Sequence, residues 1–424
     1  MLPAIPCPIQ IGKVLPGPRA GQSCISQKIS TKTPLQSVIH DGEALSMRIM
    51  SATRASSTNV WSATDYLKRK FGLDETRLGG LDGLRAIALL MVFNVHFFGF
   101  YTGTNFFSEK TSLFYQVISV LRAGHLGVDL FFVVSGFLII RSMQGTRPSA
   151  SFLKKRAYRL GPMHFFGVFL YIFAVSASPS VIDMLANLFL LAPLIKNMPV
   201  YGLIWTLTWE WIFYLFIFLI ARVASGQPLR AALLLTVLTV FSCVAMQNVT
   251  SVKWIEPGRF FGFVIGIVLF AEMNRAVGQS KKTSMSKCWS DMAAVAAIIG
   301  IVAMQVIWSR YALTILDLPL QGGFYVLVDI FFALLIKASF STDGIIARLL
   351  SSPFLRFLGK ISYSFYLVHI SLNWLLLNWL APVTSKIGML AYYAITLTCS
   401  IVVSSVTYLL LEQPYFNKKA NIRQ

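Results

Sequence analysis

The sequence predicts an all-α protein: a polytopic transmembrane helix bundle of about ten spanning helices plus one short interfacial or re-entrant helix. Three observations predict it. The 424 residues are 56% hydrophobic and only 13% charged, whereas soluble domains are charged at about a quarter of their positions. Apolar runs long enough to cross a bilayer recur from Leu84 to the end of the chain. Basic residues gather in alternate loops between those runs, as orientation in a membrane demands.

The predicted spans are residues 84–103, 125–143, 161–178, 203–223, 230–247, 257–274, 291–309, 322–340, 361–381 and 387–411. The stretch 181–195 is short and carries Asp183 and Asn187, so it is read as the interfacial or re-entrant helix. Counting it as a full span inverts every later loop and destroys the charge pattern. With both termini inside, the inner loops hold Lys68, Arg69 and Lys70, then Lys154, Lys155 and Arg156, then Lys281 and Lys282. The outer loops hold only scattered cations such as Lys110, Lys196, Lys253 and Lys386.

Residues 1–77 precede this region as an N-terminal tail. The first 65 are rich in Ser, Thr, Pro and basic residues and have no acidic residue before Asp41. The expectation is a disordered cytoplasmic tail, with an organelle transit peptide as the alternative. Residues 78–416 form the transmembrane domain and 417–424 a short cytoplasmic tail. The net charge of +20 therefore belongs to loops facing anionic headgroups. No basic stripe interleaved with exposed aromatics points to nucleic acid. Cys7, Cys24, Cys243, Cys288 and Cys399 form no CxxC pair, and with the five histidines they give no metal-ligand spacing.

An ionisable side chain inside a span is costly and needs a partner or a task. The first span, GLDGLRAIALLMVFNVHFFGFY, contains Arg85 and His96. Their spacing corresponds to roughly 16 Å along a helix and close to three whole turns, so both can face one interior path. Arg85 then lies at the cytoplasmic mouth and His96 in the outer half. Asp129 in GHLGVDLFFVVSGFL and Glu210 in IWTLTWEWIFYLF fall at a depth similar to His96, with Asp329 comparable in the eighth span. Either a shared cavity or a set of interhelical polar locks accounts for them. Arg156 and Arg159 in KKRAYRLGP are three apart and share a helix face able to clamp phosphates. Positive-inside charge is the plainer alternative. His164 and His369 read as packing or hydrogen-bonding residues, and Glu412 in LLLEQPYF as the neutraliser of an arginine such as Arg85.

Together these segments resemble the acyltransferase-3 family of integral membrane acyltransferases over roughly residues 78–416. Carrying the resemblance are Arg85 with His96, GVDLFFVVSGFLI, and RAYRLGP, supported by WTLTWEWIFYLF, GKISYSFYLVHI and the terminal LEQP. The resemblance implies transfer of an acetyl or other short acyl group from acyl-coenzyme A, most simply acetyl-CoA, to a hydroxyl of a carbohydrate such as a cell-envelope glycan. It places His96 on the family's essential histidine and Arg85 on its paired arginine. Arg156 and Arg159 fall on the arginine pair that handles the acyl donor. Two departures stand out: the Ser/Thr-rich N-terminus lies outside the family core, and nothing after the last span suggests a soluble esterase domain.

The mechanism expected on this footing has Arg85, Arg156 and Arg159 binding the phosphates of cytoplasmic acyl-CoA while the pantetheine arm threads toward His96. His96 serves as general base or as acyl carrier. Asp129 or Glu210 orients it or holds the acceptor, and Trp205, Trp209 and Trp211 offer faces for a sugar or an interfacial belt. No metal is expected. A bacterial inner membrane is the default location, and oligomeric state is left open. A proton-coupled secondary transporter is the rival class, disfavoured because the two halves show no internal repeat. A structural scaffold is the other rival, and it leaves titratable groups at one depth without a reason.

Overall fold

The computed structural model describes residues 70, 71, 73, 79–102, 111–143, 150–195, 200–220, 227–246, 256–278, 287–311, 318–341, 344–379 and 385–415. The predicted tails 1–65 and 417–424, with Cys7 and Cys24, lie outside these residues. Phe71, which the sequence reading assigned to the tail, is buried, edge-on to Phe357 at 4.9 Å and stacked on Tyr408 at 5.6 Å.

All regular structure among the described residues is helical. In chain order the helices are α1 (Gly79–Thr102), α2 (Leu113–Arg122), α3 (Gly127–Ser142), α4 (Ala150–Ala174), α5 (Val181–Leu188), α6 (Ile204–Ile220), α7 (Pro228–Met246), α8 (Phe261–Gly278), α9 (Lys287–Tyr311), α10 (Leu318–Ser339), α11 (Ile345–Leu350), α12 (Pro353–Lys360), α13 (Ser362–Trp379) and α14 (Lys386–Thr407). Single 3₁₀ turns lead into α3 (Ala123–Leu126) and α8 (Pro257–Phe260), and a π-turn at Tyr408–Glu412 extends α14. Several starts are capped as the sequence dictates. Ser112 and Ser385 each accept a backbone N–H three residues on, at 3.2 and 3.0 Å, satisfying donors that a helix N-terminus otherwise orphans.

Among the described residues helix occupies most of each of the ten predicted spans, α4 ending at Ala174 short of residue 178, and the chain is a polytopic membrane helix bundle. Seven stretches among the described residues are long and apolar enough to cross a bilayer on composition alone. The other three predicted spans are α4, α6 and α13, and each has a physical reason for falling short. Helix α4 carries the basic run from Lys154 to Arg159 in its first three turns, α6 has 17 residues, and α13 carries Ser364, His369, Ser371 and Asn373. Those four polar residues of α13 are buried within the protein, where packing replaces lipid as their surroundings. Conversely, α7, α9 and α14 turn large apolar side chains outward, including Leu233, Phe241, Ile299 and Val402, the pattern of a lipid-facing surface.

The stretch 181–195 forms the short α5 and a 3₁₀ turn. It is pinned from both sides: His164 Nε2 lies 3.2 Å from the carbonyls of Asn187 and Leu188. Asn187 Oδ1 in turn accepts from Tyr201 N at 3.1 Å, and Tyr201 OH donates to Leu367 O at 2.5 Å. His164 thus has the hydrogen-bonding role the sequence suggested.

Helix α3 is central and is crossed by α8 at glycines. A Cβ on Gly136 would meet Phe263 O at 2.3 Å, and one on Gly266 would meet Val133 O at 2.2 Å. The glycine of the SGFL segment therefore serves backbone-to-backbone packing. Gly127 does the same against α1, where a Cβ would reach Ala88 O at 2.5 Å. These close approaches fix α1, α3 and α8 as one unit, from which Arg85, His96 and Asp129 project.

Candidate functional site

Five helices enclose one cavity, with space for water-sized occupants of about 120 Å³. Its wall along α3 runs from Val128 to Ile139, a length of about 16 Å at the helical rise. Arg85 enters from α1, Arg156 and Arg159 from α4, Glu210 and Tyr214 from α6, and Tyr363 and Tyr366 from α13. The three arginines and one carboxylate leave the lining with an excess of positive charge.

Glu210 is held by its neighbours. Its Oε1 accepts from Ser135 Oγ at 3.4 Å and from the Tyr214 hydroxyl. Arg156 has its guanidinium carbon 5.4 Å from the Phe152 ring and 5.5 Å from the Tyr214 ring, a cation–π placement that keeps the head group in register. Its Nη2 donates to Ser142 Oγ at 3.5 Å. Because α4 already begins at Ala150, Arg156 and Arg159 sit within a helix, one turn apart, both reaching the cavity.

Glu412 is 2% exposed and accepts from both Ser364 N, at 3.1 Å, and Ser364 Oγ. It remains in electrostatic range of Arg159 and Arg85. The expected role as neutraliser of Arg85 is thus shared with Arg159, while its direct hydrogen bonds go to Ser364. The π-turn that carries Glu412 is an unusual element, of a type that recurs at functional sites.

The remaining predicted site residues stand elsewhere. Asp129 is fully buried, and its Oδ2 accepts from Arg259 Nη1 at 2.6 Å. Arg259 is also bonded to Glu256, and its guanidinium carbon lies 4.3 Å from the Tyr325 ring and 5.4 Å from the Trp205 ring. Tyr325 OH donates to Glu256 Oε2 at 2.9 Å. Burial raises the Glu256 carboxyl, but Arg259 overcomes it and holds the group below its usual range. Asp329 is buried in electrostatic range of Asp129 and Arg259. The expectation that Asp129 orients His96 meets a direct competitor: its hydrogen-bonded oxygen is given to Arg259, a partner 130 residues away in sequence.

His96 lies beside a residue that the sequence reading assigned to packing or hydrogen bonding. Its ring is 5.2 Å from that of His369. Among the described residues no hydrogen bond joins His96 to Asp129 or Glu210. Between the cavity and the histidine pair stands Tyr366, whose ring is 6.0 Å from His369 and 6.5 Å from Phe131. Tyr366 OH and Thr206 Oγ1 share a hydrogen bond of 2.8 Å. Of the expected depth-matched set, Glu210 lines the cavity, Asp129 and Asp329 sit at Arg259, and His96 sits at His369. Trp209 packs edge-on to Phe260 at 4.7 Å as core, and Trp205 backs Arg259.

A membrane helix bundle with an arginine-lined cavity at its centre is the class that fold and site define. The family profile described as an acyltransferase domain matches residues 78–409, and the chain belongs to that acyltransferase-3 family. A candidate O-acetyltransferase of Staphylococcus aureus (strain COL) is 24% identical over 390 residues, covering 83% of this chain. Acyltransferase MdmB of Streptomyces mycarofaciens is 26% identical over 330 residues, covering 69% of this chain and 78% of its own length. The chain spans 58% of the length of the staphylococcal relative. No solved structure matches.

Proposed function

We propose that the chain is a membrane O-acyltransferase that takes an acetyl or other short acyl group from acyl-CoA and passes it to a carbohydrate hydroxyl at His96. The observation that carries this reading is the single cavity that Arg85, Arg156 and Arg159 line together, from two helices about seventy residues apart in sequence. Guanidinium groups bind phosphate oxygens in paired, charge-assisted hydrogen bonds. Three of them at a membrane-embedded opening suit the phosphates of coenzyme A. The cavity's length along α3 suits the extended pantetheine arm, with the nucleotide held at the arginine end and the thioester toward Thr206 and Tyr366.

His96 then acts on the acceptor hydroxyl as general base, the role an imidazole fills near neutral pH. The hydroxyl oxygen attacks the thioester carbonyl, the C–S bond breaks, and the hydroxyl proton passes through His96 to the leaving thiolate. Glu210, fixed by Ser135 and Tyr214, faces the donor path. The arginine end is read as cytoplasmic, where coenzyme A is made, in a bacterial inner membrane with both chain ends inside. The staphylococcal and streptomycete relatives, by their names, support acyl transfer as the chemistry; a cell-envelope glycan as acceptor rests on the family resemblance.

The test is binding and hydrolysis of labelled acetyl-CoA by protein purified in nanodiscs. Wild type should bind and slowly cleave the donor, His96→Ala should bind without turnover, and Arg85→Ala should lose binding. A wild-type protein that neither binds nor cleaves acetyl-CoA would overturn the reading.

A further inference from the structure

His369 is 1% exposed, and its Nδ1 lies 3.1 Å from the carbonyl oxygen of Phe365, one helical turn back. A carbonyl only accepts, so Nδ1 must carry the hydrogen. The neutral ring then has a bare lone pair at Nε2, the tautomer being set by the partner of the other nitrogen. That Nε2 is buried without a hydrogen-bond partner. An orphaned acceptor in a membrane-buried core costs about 1–3 kcal/mol, so its persistence calls for a partner in some working state.

Among the aromatic rings around it in the described residues, one is a candidate. The rings of Phe365, Tyr366 and Phe93 lie 5.8, 6.0 and 6.2 Å away, and that of His96 at 5.2 Å. Two of these rings are hydrocarbon, and the Tyr366 hydroxyl is engaged with Thr206 Oγ1 and Leu203 O. Only His96 brings a nitrogen. An N–H···N bond of about 2.9 Å plus two ring radii of roughly 1.1 Å spans about 5 Å between imidazole centres, so a modest turn of either ring closes it.

We propose that His369 is the positioning residue for His96, accepting a hydrogen bond from one His96 ring N–H so that the other ring nitrogen presents its lone pair to the acceptor hydroxyl. It thereby takes the orienting part that a carboxylate plays in a serine-hydrolase triad. A neutral imidazole in that place avoids burying a lone anion in a low-dielectric site. When His96 collects the hydroxyl proton, the same hydrogen bond strengthens and steadies the imidazolium until the proton leaves with the thiolate.

This inference rests on the acyl-transfer reading for its kinetic consequence and on the histidine pair alone for its spectroscopic one. The experiment combines both, using the full chain in nanodiscs with ¹⁵N-labelled histidine. His369→Phe keeps the ring volume and removes the acceptor; His369→Gln restores an acceptor near Nε2. With donor affinity unchanged, His369→Phe should lower kcat for acetyl-CoA turnover about 10- to 100-fold, the scale of lost orienting partners at metal-bound histidines, and His369→Gln should recover most of it. The His96 ring-nitrogen signals should shift from the single neutral tautomer of wild type to a mixture in His369→Phe and return in His369→Gln. Unchanged kcat in a folded His369→Phe protein, or a loss confined to KM, would overturn the proposal. So would His96 nitrogen signals indifferent to residue 369, a result readable from His369→Gln alone if the Phe variant does not fold. Should wild type show no donor turnover, acyl transfer falls, while the nitrogen signals still decide whether the two histidines are paired.

Discussion

Two charged regions lie inside this bundle, and they differ in how their charge is met. At the Asp129–Arg259–Glu256 cluster a single guanidinium, 3% exposed, is engaged by two carboxylates and two aromatic faces, tying α3 to the entry of α8 and to α10. At the cavity three arginines share space with one lining carboxylate, and open volume lies between them. Charge enclosed by protein partners holds helices together, whereas charge that also faces open volume can meet something that arrives. The difference teaches that intramembrane charge alone is an incomplete sign of function. The geometry of its partners decides.

The sharpest way to break this comparison is at the reaction itself. His96→Ala should reduce acyl transfer by about 10²- to 10⁴-fold, the usual worth of a general base, while acetyl-CoA affinity and melting temperature stay near wild type. Steady-state kinetics with a binding titration checks it. Next is the lock: Arg259→Met strands the buried carboxylate of Asp129 and removes the partner of half-buried Glu256, and should destabilise the fold by roughly 3–5 kcal/mol. Thermal unfolding in detergent reads this, and adding Asp129→Asn should restore part of the loss. A smaller effect is expected at the cavity, where Arg159→Ala should weaken coenzyme A by about 10- to 100-fold, the equivalent of one charged hydrogen-bonding group at about 1.5–3 kcal/mol, without lowering the melting temperature. Smallest is Tyr363→Phe. It removes a hydroxyl that donates to Leu160 O at 2.8 Å and should cost about 1 kcal/mol of stability, with donor affinity little changed.

The same contrast explains what the sequence could disclose. Helices and their order were legible because hydropathy is a local signal, and each predicted span has a helix in its described residues. Arg85, Arg156 and Arg159 were legible as a group through motif resemblance, and Glu210 by depth in a different set with His96 and Asp129; the four line one cavity. Depth along the membrane does not fix which way a side chain points around its helix, which is why Asp129 and His96 did not join that group. The partner of Asp129, Arg259, carries no motif in the sequence, since nothing local marks a contact across 130 residues. His369 carried a faint signal in GKISYSFYLVHI, but its closeness to His96 depends on how α13 packs against α1. Gly136 and Gly266 were likewise silent until backbone carbonyls were seen against them.

The most direct test sets the two arginines side by side: coenzyme A titrations and melting curves for wild type, Arg159→Ala and Arg259→Met in the same nanodiscs. The account predicts that Arg159→Ala loses affinity at least about tenfold with its melting temperature intact, while Arg259→Met melts early yet binds normally in its folded fraction. Coenzyme A binding of wild-type strength by a folded Arg159→Ala protein would contradict the assignment of the cavity to the acyl donor.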